Sequence, residues 1–188
     1  MVRYRHVASD GTEIIFRELV KGDAKACMSF INSFVDERRS GLLIDKKVTL
    51  KAEEKWLESQ LSDTKARQIV MLLVELDGRI VGSCHVHRLP SKHRHRAVLG
   101  VALLKGLRGK GVGEALMRRT MELAVKRFRG IETIELSSFA YNERAQSLYK
   151  KLGFKEFGRV PRSAKEGDEY FDEVMMRLEL SQTSPRDE

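Results

Sequence analysis

Residues Val98-Leu-Gly-Val-Ala-Leu-Leu-Lys-Gly-Leu-Arg108-Gly-Lys-Gly-Val-Gly113-Glu-Ala-Leu-Met117 begin as an apolar strand. They turn through Gly109, Gly111 and Gly113, alternating with Arg108, Lys110 and Val112, and continue as an amphipathic helix. Strand, glycine-rich turn and helix N-terminus together suit a pyrophosphate. Glycines let the backbone approach a ligand closely. The first N–H groups of a helix have no partner within it and face an anion at the positive end of the helix dipole. Arg108 and Lys110 are expected to add positive charge. Taken alone, the same stretch also reads as an ordinary strand-to-helix turn with solvated basic side chains. It is not a nucleoside-triphosphate loop, because no Lys-Ser/Thr pair follows a glycine as G-x-x-x-x-G-K-S/T requires. Nor does it match the dinucleotide fingerprint G-x-G-x-x-G, which also expects an acidic residue about 20 residues further on.

The 188 residues suit one domain, expected over 1–180, with a polar tail at 181–188. The hydrophobic fraction of 41% is enough for a substantial core. No apolar run approaches the roughly 18 residues of a membrane span. The charged start, Met1-Val-Arg-Tyr-Arg-His6, has no signal-peptide core behind it. A cytoplasmic protein with no membrane partner is expected. Cys27 and Cys84 each lie in an apolar run and read as buried thiols rather than a disulfide framework or zinc site. His85, His87, His93 and His95 suggest a metal cluster at first sight. Yet no acidic or Cys residue lies among them, and Lys92, Arg94 and Arg96 would repel a cation, so no metal is expected. The net charge of +8 favours an anionic ligand. The basic residues are scattered, without an aromatic-interleaved stripe, which disfavours nucleic acid as a partner. Nothing in the sequence opposes a homodimer.

Along the chain, residues 1–11 read as an arm or short strand and Glu13–Glu18 as a strand. A helix follows from about Ala24, with Ala24, Cys27, Met28, Ile31, Phe34 and Val35 at helical spacing. Thr49 is placed to cap a second helix over Leu50–Leu61. Gln68–Glu75 is a continuous apolar run, a strand buried on both faces. Asp77-Gly78 is a hairpin turn to a strand over Arg79–His87. Arg88–Arg96 is a basic loop, and Ala97–Leu104 is the strand before the glycine-rich turn. The helix beyond that turn runs from about Val112 to Phe128, and Gly130 ends it. Thr133–Ser138 is a strand, and Asn142 is placed to cap a helix over Glu143–Leu152. Phe154–Val160 and Tyr170–Leu180 are strands separated by a charged loop, Pro161–Gly167. The expected fold is α/β (α+β): a mixed, mostly antiparallel sheet of six to seven strands with helices on both faces.

Two motifs carry a resemblance. Arg108-Gly-Lys-Gly111-Val-Gly113 resembles the acetyl-coenzyme A signature Gln/Arg-x-x-Gly-x-Gly/Ala of the GNAT acetyltransferase superfamily. Asn142-Glu-Arg-Ala145-Gln-Ser-Leu-Tyr149-Lys-Lys-Leu-Gly153-Phe154 resembles the N-x-x-A-x-x-x-Y-x-x-x-G-F segment of the same superfamily. The two lie about thirty residues apart with a helix and a strand between them, and the element order is also that of the GNAT fold. The resemblance covers Ala97 to about Phe154 well, and the flanks by element order. In overall look the chain resembles the branch with ribosomal-protein N-acetyltransferases and the phosphinothricin- and polyamine-acetylating enzymes.

This resemblance implies acetyl-coenzyme A as co-substrate and assigns roles residue by residue. The strand Leu99–Leu103 would splay from its neighbour, with Val101 and Leu103 pairing the pantetheine arm through their backbone. Backbone N–H groups of Arg108, Gly109, Lys110, Gly111, Val112 and Gly113 would hold the pyrophosphate. Asn142 would contact the cofactor near its reacting end. Tyr149 would hydrogen-bond the sulfur and protonate it as it leaves, which suits a phenol beside a thiolate leaving group. Without the resemblance, Tyr149 reads as a core aromatic and Asn142 as a helix cap.

The incoming amine must also lose a proton. The position where many family members carry a carboxylate is Val98 here, which cannot accept one. Glu37, His85 or His87, and Glu135 are the alternatives, with Glu37 and His87 read as base or substrate contact. Glu37 also reads as a partner of Arg38 or Arg39, and either histidine as a half-buried sheet residue. The acceptor loops implied by the resemblance, 36–47 and 159–171, mix both signs of charge. The expected function is transfer of an acetyl group from acetyl-coenzyme A to a primary amine, either a small molecule or a protein N-terminus, by direct attack on the thioester. The alternative is a non-catalytic GNAT-fold module that binds coenzyme A or nucleic acid.

Overall fold

A computed structural model describes residues 2–37 and 39–180. Its strands are β1 Arg3–Val7, β2 Glu13–Glu18, β3 Ile69–Leu76, β4 Arg79–Arg88, β5 Arg96–Leu103, β6 Thr133–Phe139, β7 Lys155–Glu166 and β8 Glu169–Glu179. Its helices are α1 Ala24–Asn32, α2 Leu50–Lys65, α3 Val112–Arg127 and α4 Glu143–Lys151. The fold is mixed α/β, with eight strands in the order β1-β2-β3-β4-β5-β6-β8-β7. The sequence count of six to seven strands is thus corrected to eight. The residues form two compact units, Met1–His87 with Gly100–Arg127, and Arg88–Leu99 with Phe128–Glu188. Strand β5 contributes residues to both. The proposed tail, 181–188, lies outside the described residues.

In the first unit, β1, β2, β3 and β4 form antiparallel pairs in sequence order. The apolar run predicted as a doubly buried strand is β3, with Ile69–Val74 all buried. Strand residues alternate between faces. Ile69, Met71 and Leu73 join the core cluster with Cys27, Phe30, Phe34 and Leu57 from α1, α2 and the turn between them. Val70, Leu72 and Val74 are left for the other face, with Cys84 opposite Leu72 in the register and wholly buried. Both cysteines are buried, and burial pushes both thiols up to about 12. The Asp77-Gly78 hairpin forms as expected, both residues at positive φ. Thr49 caps α2 by accepting the Ala52 N–H at 3.3 Å. The start of α1 is fixed by Arg17, a buried arginine that donates to both Asp23 oxygens at 2.8 Å. Helix α1 stops at Asn32, earlier than its apolar spacing suggests, and Phe34 is buried from the turn that follows.

In the second unit, β5 pairs parallel with β6 over Arg96–Val98 against Thr133–Glu135, and the parallel register ends there. Strand β6 pairs antiparallel with β8, and β8 with β7 at the edge. The segment expected as a charged loop, 161–167, is instead the continuation of β7 into a hairpin with β8. Proline lacks the N–H that a central strand needs, but an edge strand tolerates it. The register shift between Val160 and Ala164 falls at Pro161. The core here holds Ile134, Leu136, Val174, Met176 and Phe154, with Phe139, Tyr141 and Phe171 in ring contact.

Candidate active site

In the first unit, β5 ends at Leu103 and a single 3-10 turn, Lys105–Leu107, follows. Leu107 is buried and anchors this turn. Gly109 and Gly111 then take φ of 82° and 79°, the left-handed region that glycine enters without strain. Helix α3 begins at Val112, which is wholly buried. Among the described residues, the backbone N–H groups of Gly109, Lys110, Gly111, Val112 and Gly113 meet no backbone acceptor. The space where a Cβ of Gly111 would stand is open. A run of unpaired N–H groups at a helix N-terminus, beside an open glycine, fits a pyrophosphate.

The basic side chains of the loop behave otherwise than expected, because both meet carboxylates. Arg108 donates its Nε–H to the Leu103 carbonyl at 2.8 Å, and its two Nη groups to the two oxygens of Glu37 at 2.6 and 3.1 Å. Lys105 adds a longer contact to Glu37 at 3.9 Å. Lys110 pairs with Asp10 at 2.6 Å, and its carbonyl accepts the Ser9 N–H at 3.1 Å. The hydrogen bond from Lys110, helped by the Thr12 N–H, holds the Asp10 carboxyl well below the usual carboxylate range. Asp10 was not singled out in the sequence. It falls in the stretch read as an arm or short strand, and nothing local links it to a residue so far along the chain.

The two histidines of β4 differ. His87 is exposed. His85 is half-buried, and its ring lies where a Cβ on Gly100 would stand, with Cε1 at 2.4 Å from that position. Burial, with the nearby charge of His87, lowers the His85 pKa, so its imidazole is neutral at pH 7. Val101 and Leu103 are half-buried on β5, and the Leu103 carbonyl already accepts from Arg108.

In the second unit, Asn142 caps α4 as its sequence position suggested, its side-chain oxygen accepting the Ala145 N–H at 3.3 Å. Tyr149 lies on the buried side of α4, 7% exposed, with its ring centroid 6.2 Å from that of Phe154. Val98 is 39% exposed and stands opposite Glu135 in the parallel register. Glu135 is gripped by Arg96 at 2.7 Å and by Arg177 at 2.7 Å. Burial raises its pKa, but the hydrogen bonds from Arg96 and Arg177 outweigh that and bring it below the ordinary range. Glu173 accepts hydrogen bonds from Ser137 and Ser163. Of the residues singled out in the sequence, Glu37, His85, His87 and the phosphate loop thus fall in the first unit, and Glu135, Asn142 and Tyr149 in the second. Among the described residues, no cluster of three or more His, Cys, Asp or Glu could hold a metal, and no helix is long and apolar enough to cross a membrane.

The sequence model of the acetyltransferase (GNAT) family matches residues 32–154, a span that takes in the glycine-rich loop, Asn142 and Tyr149. Over 110 residues the chain is 33% identical to the L-amino acid N-acetyltransferase AaaT of Escherichia coli K12, covering 57% of this chain and 67% of that one. Over 101 residues it is 32% identical to an N-alpha-acetyltransferase of Sulfurisphaera tokodaii, covering 49% of this chain and 60% of the relative. The match therefore spans less than two thirds of that relative's length. The solved structure of the phosphinothricin acetyltransferase Pat from Sinorhizobium meliloti, in complex with acetyl-CoA, is similar at a TM-score of 0.75 and 16% identity, with 92% of each chain covered. That likeness shows the fold, and the family match rests on the sequence itself. The chain belongs to the acetyltransferase (GNAT) family.

Proposed function

We propose that this protein transfers the acetyl group of acetyl-coenzyme A to a primary amine, an amino acid or a protein N-terminus, by direct attack of the amine on the thioester. The observation that carries the reading is the run of N–H groups from Gly109 to Gly113 that meet no backbone acceptor among the described residues, at the start of α3, in a chain of the GNAT family. These groups would take the pyrophosphate without help from charged side chains, since Arg108 and Lys110 are already matched. The related enzymes that act on an amino acid or an N-terminal amine support the acceptor class.

In the reaction a C–N bond forms and the C–S bond breaks. The leaving sulfur takes a proton from the Tyr149 hydroxyl, the role its motif position implies. The amine gives up a proton more readily to a group that is not already paired with a cation. Both oxygens of Glu37 are occupied by guanidinium N–H groups, and Glu135 is locked between two arginines. His85 is neutral and sits against Gly100, on the residue just before Val101. It is therefore preferred over the exposed His87 as the proton acceptor.

Release of free thiol from acetyl-coenzyme A, followed over a panel of amino acids, polyamines and short peptides, tests the reading. Turnover with one acceptor class is expected. Tyr149→Phe and His85→Gln should each lower kcat about a hundredfold or more, the usual worth of a positioned acid or base. Coenzyme A binding without turnover on any acceptor would sink the transferase reading and leave a coenzyme A-binding module.

A further inference from the structure

The chain leaves α1 at Asn32 and enters α2 at Leu50. Two adjacent carboxylates in this segment are treated differently. The Asp36 side chain is 74% exposed and pairs with Lys47 of the same segment at 2.9 Å. The Glu37 side chain is only 10% exposed and reaches to Arg108, 71 residues away in sequence. A carboxylate is costly to withdraw from water unless its partner is well placed. Here it is, because the planar guanidinium matches both oxygens at once. The third side of the same guanidinium is spent on the Leu103 carbonyl, the last residue of β5. One side chain thus joins three things: the end of β5, the phosphate loop that Arg108 opens, and the segment between α1 and α2.

Arg108 is extended, with φ −73° and ψ 138°, and the left-handed Gly109 follows it directly. Fixing the Arg108 side chain at both ends therefore fixes the direction in which the next five N–H groups leave the turn. Lys110 has no such hold. Its pair with Asp10 is a third exposed on each side, and a lysine is a point charge on a flexible stem.

We infer that Glu37 is a positioning residue: acting through Arg108, it couples the segment between α1 and α2 to the pyrophosphate loop, so that binding of coenzyme A orders that segment. This rests on the reading of the loop as a coenzyme A site. In that reading the ordered segment faces the acceptor. The co-substrate would then prepare the acceptor side before the amine arrives, and linkage requires the preparation to run equally in both directions.

Coenzyme A itself is the probe. Its binding to wild type, Glu37→Ala, Arg108→Ala and the double variant is measured by calorimetry, with circular dichroism and thermal melting to confirm folding. Amide hydrogen exchange of residues 33–48 is followed with and without saturating coenzyme A. Each single variant should weaken binding about tenfold, and the double variant by about the same tenfold rather than a hundredfold, because both remove one shared interaction. In wild type, coenzyme A should slow exchange over 33–48. At saturating ligand neither single variant should show that protection. Arg108→Lys, which keeps the charge but loses the fork, should behave like Arg108→Ala in the exchange experiment. Additive losses, or protection that persists in the variants, would overturn the coupling while leaving the coenzyme A site intact. Should Glu37→Ala fail to fold, Glu37→Gln and Arg108→Lys carry the same comparison. Failure of wild type to bind coenzyme A would overturn both this inference and the function proposed above.

Discussion

Two glutamates, both readable in the sequence as proton acceptors, end up in the grip of arginines, and the grips differ. Glu37 meets one guanidinium, from a loop. Glu135 meets two, Arg96 on β5 and Arg177 on β8, the strands that flank its own on either side. The second arrangement laces three adjacent strands together across their ladder. The first fastens a loop and the end of one strand to a distant segment, and bridges no neighbouring strands. A carboxylate can thus be spent either on holding adjacent strands together or on tying a loop to a distant segment.

The contrast predicts an order of effects on stability. Glu135→Ala leaves two arginines without their partner and should cost about 2–3 kcal/mol, less than a wholly buried pair because both arginines can still reach water. Glu37→Ala releases one arginine and should cost about 1 kcal/mol. Urea unfolding midpoints decide this, and equal costs would break the distinction. A second consequence concerns acid. The folded Glu135 carboxyl has a lowered pKa, so the stability it contributes is present above the unfolded carboxylate value of about 4.3 and is lost as pH falls through the folded value. The midpoints of wild type and Glu135→Gln should therefore converge between pH 5 and the acid limb of unfolding; a constant gap over that range would contradict the assignment. The smallest effect belongs to the exposed i,i+4 pair of Arg118 with Glu114 on α3, where Arg118→Ala should cost at most about 0.5 kcal/mol.

What could be read from the sequence was what is local. The β3 run, the Asp77-Gly78 turn, the caps at Thr49 and Asn142 and the start of α3 at Val112 each follow from a few neighbouring residues, and each stands where expected. The strand through Pro161 was misread because proline is a stop signal until a strand is known to lie at a sheet edge, and edges are set by strand order. The partners of the basic side chains in the glycine-rich loop were hidden for the same kind of reason. Arg108 and Lys110 look free in the sequence, and their carboxylates come from Glu37 and from Asp10 in the turn after β1. Glu37 could be placed near the site from its position after α1, but its role depends on a partner that only folding supplies.

The approach of His85 to Gly100 has a consequence for related sequences. A methyl group at position 100 would overlap the imidazole, so the glycine and the ring form one unit of variation. Among relatives that carry this part of the chain, a ring at position 85 is expected only with glycine at position 100, and a larger residue at 100 only with a small one at 85. Such paired change would identify which members share the proton acceptor proposed here without a structure for any of them.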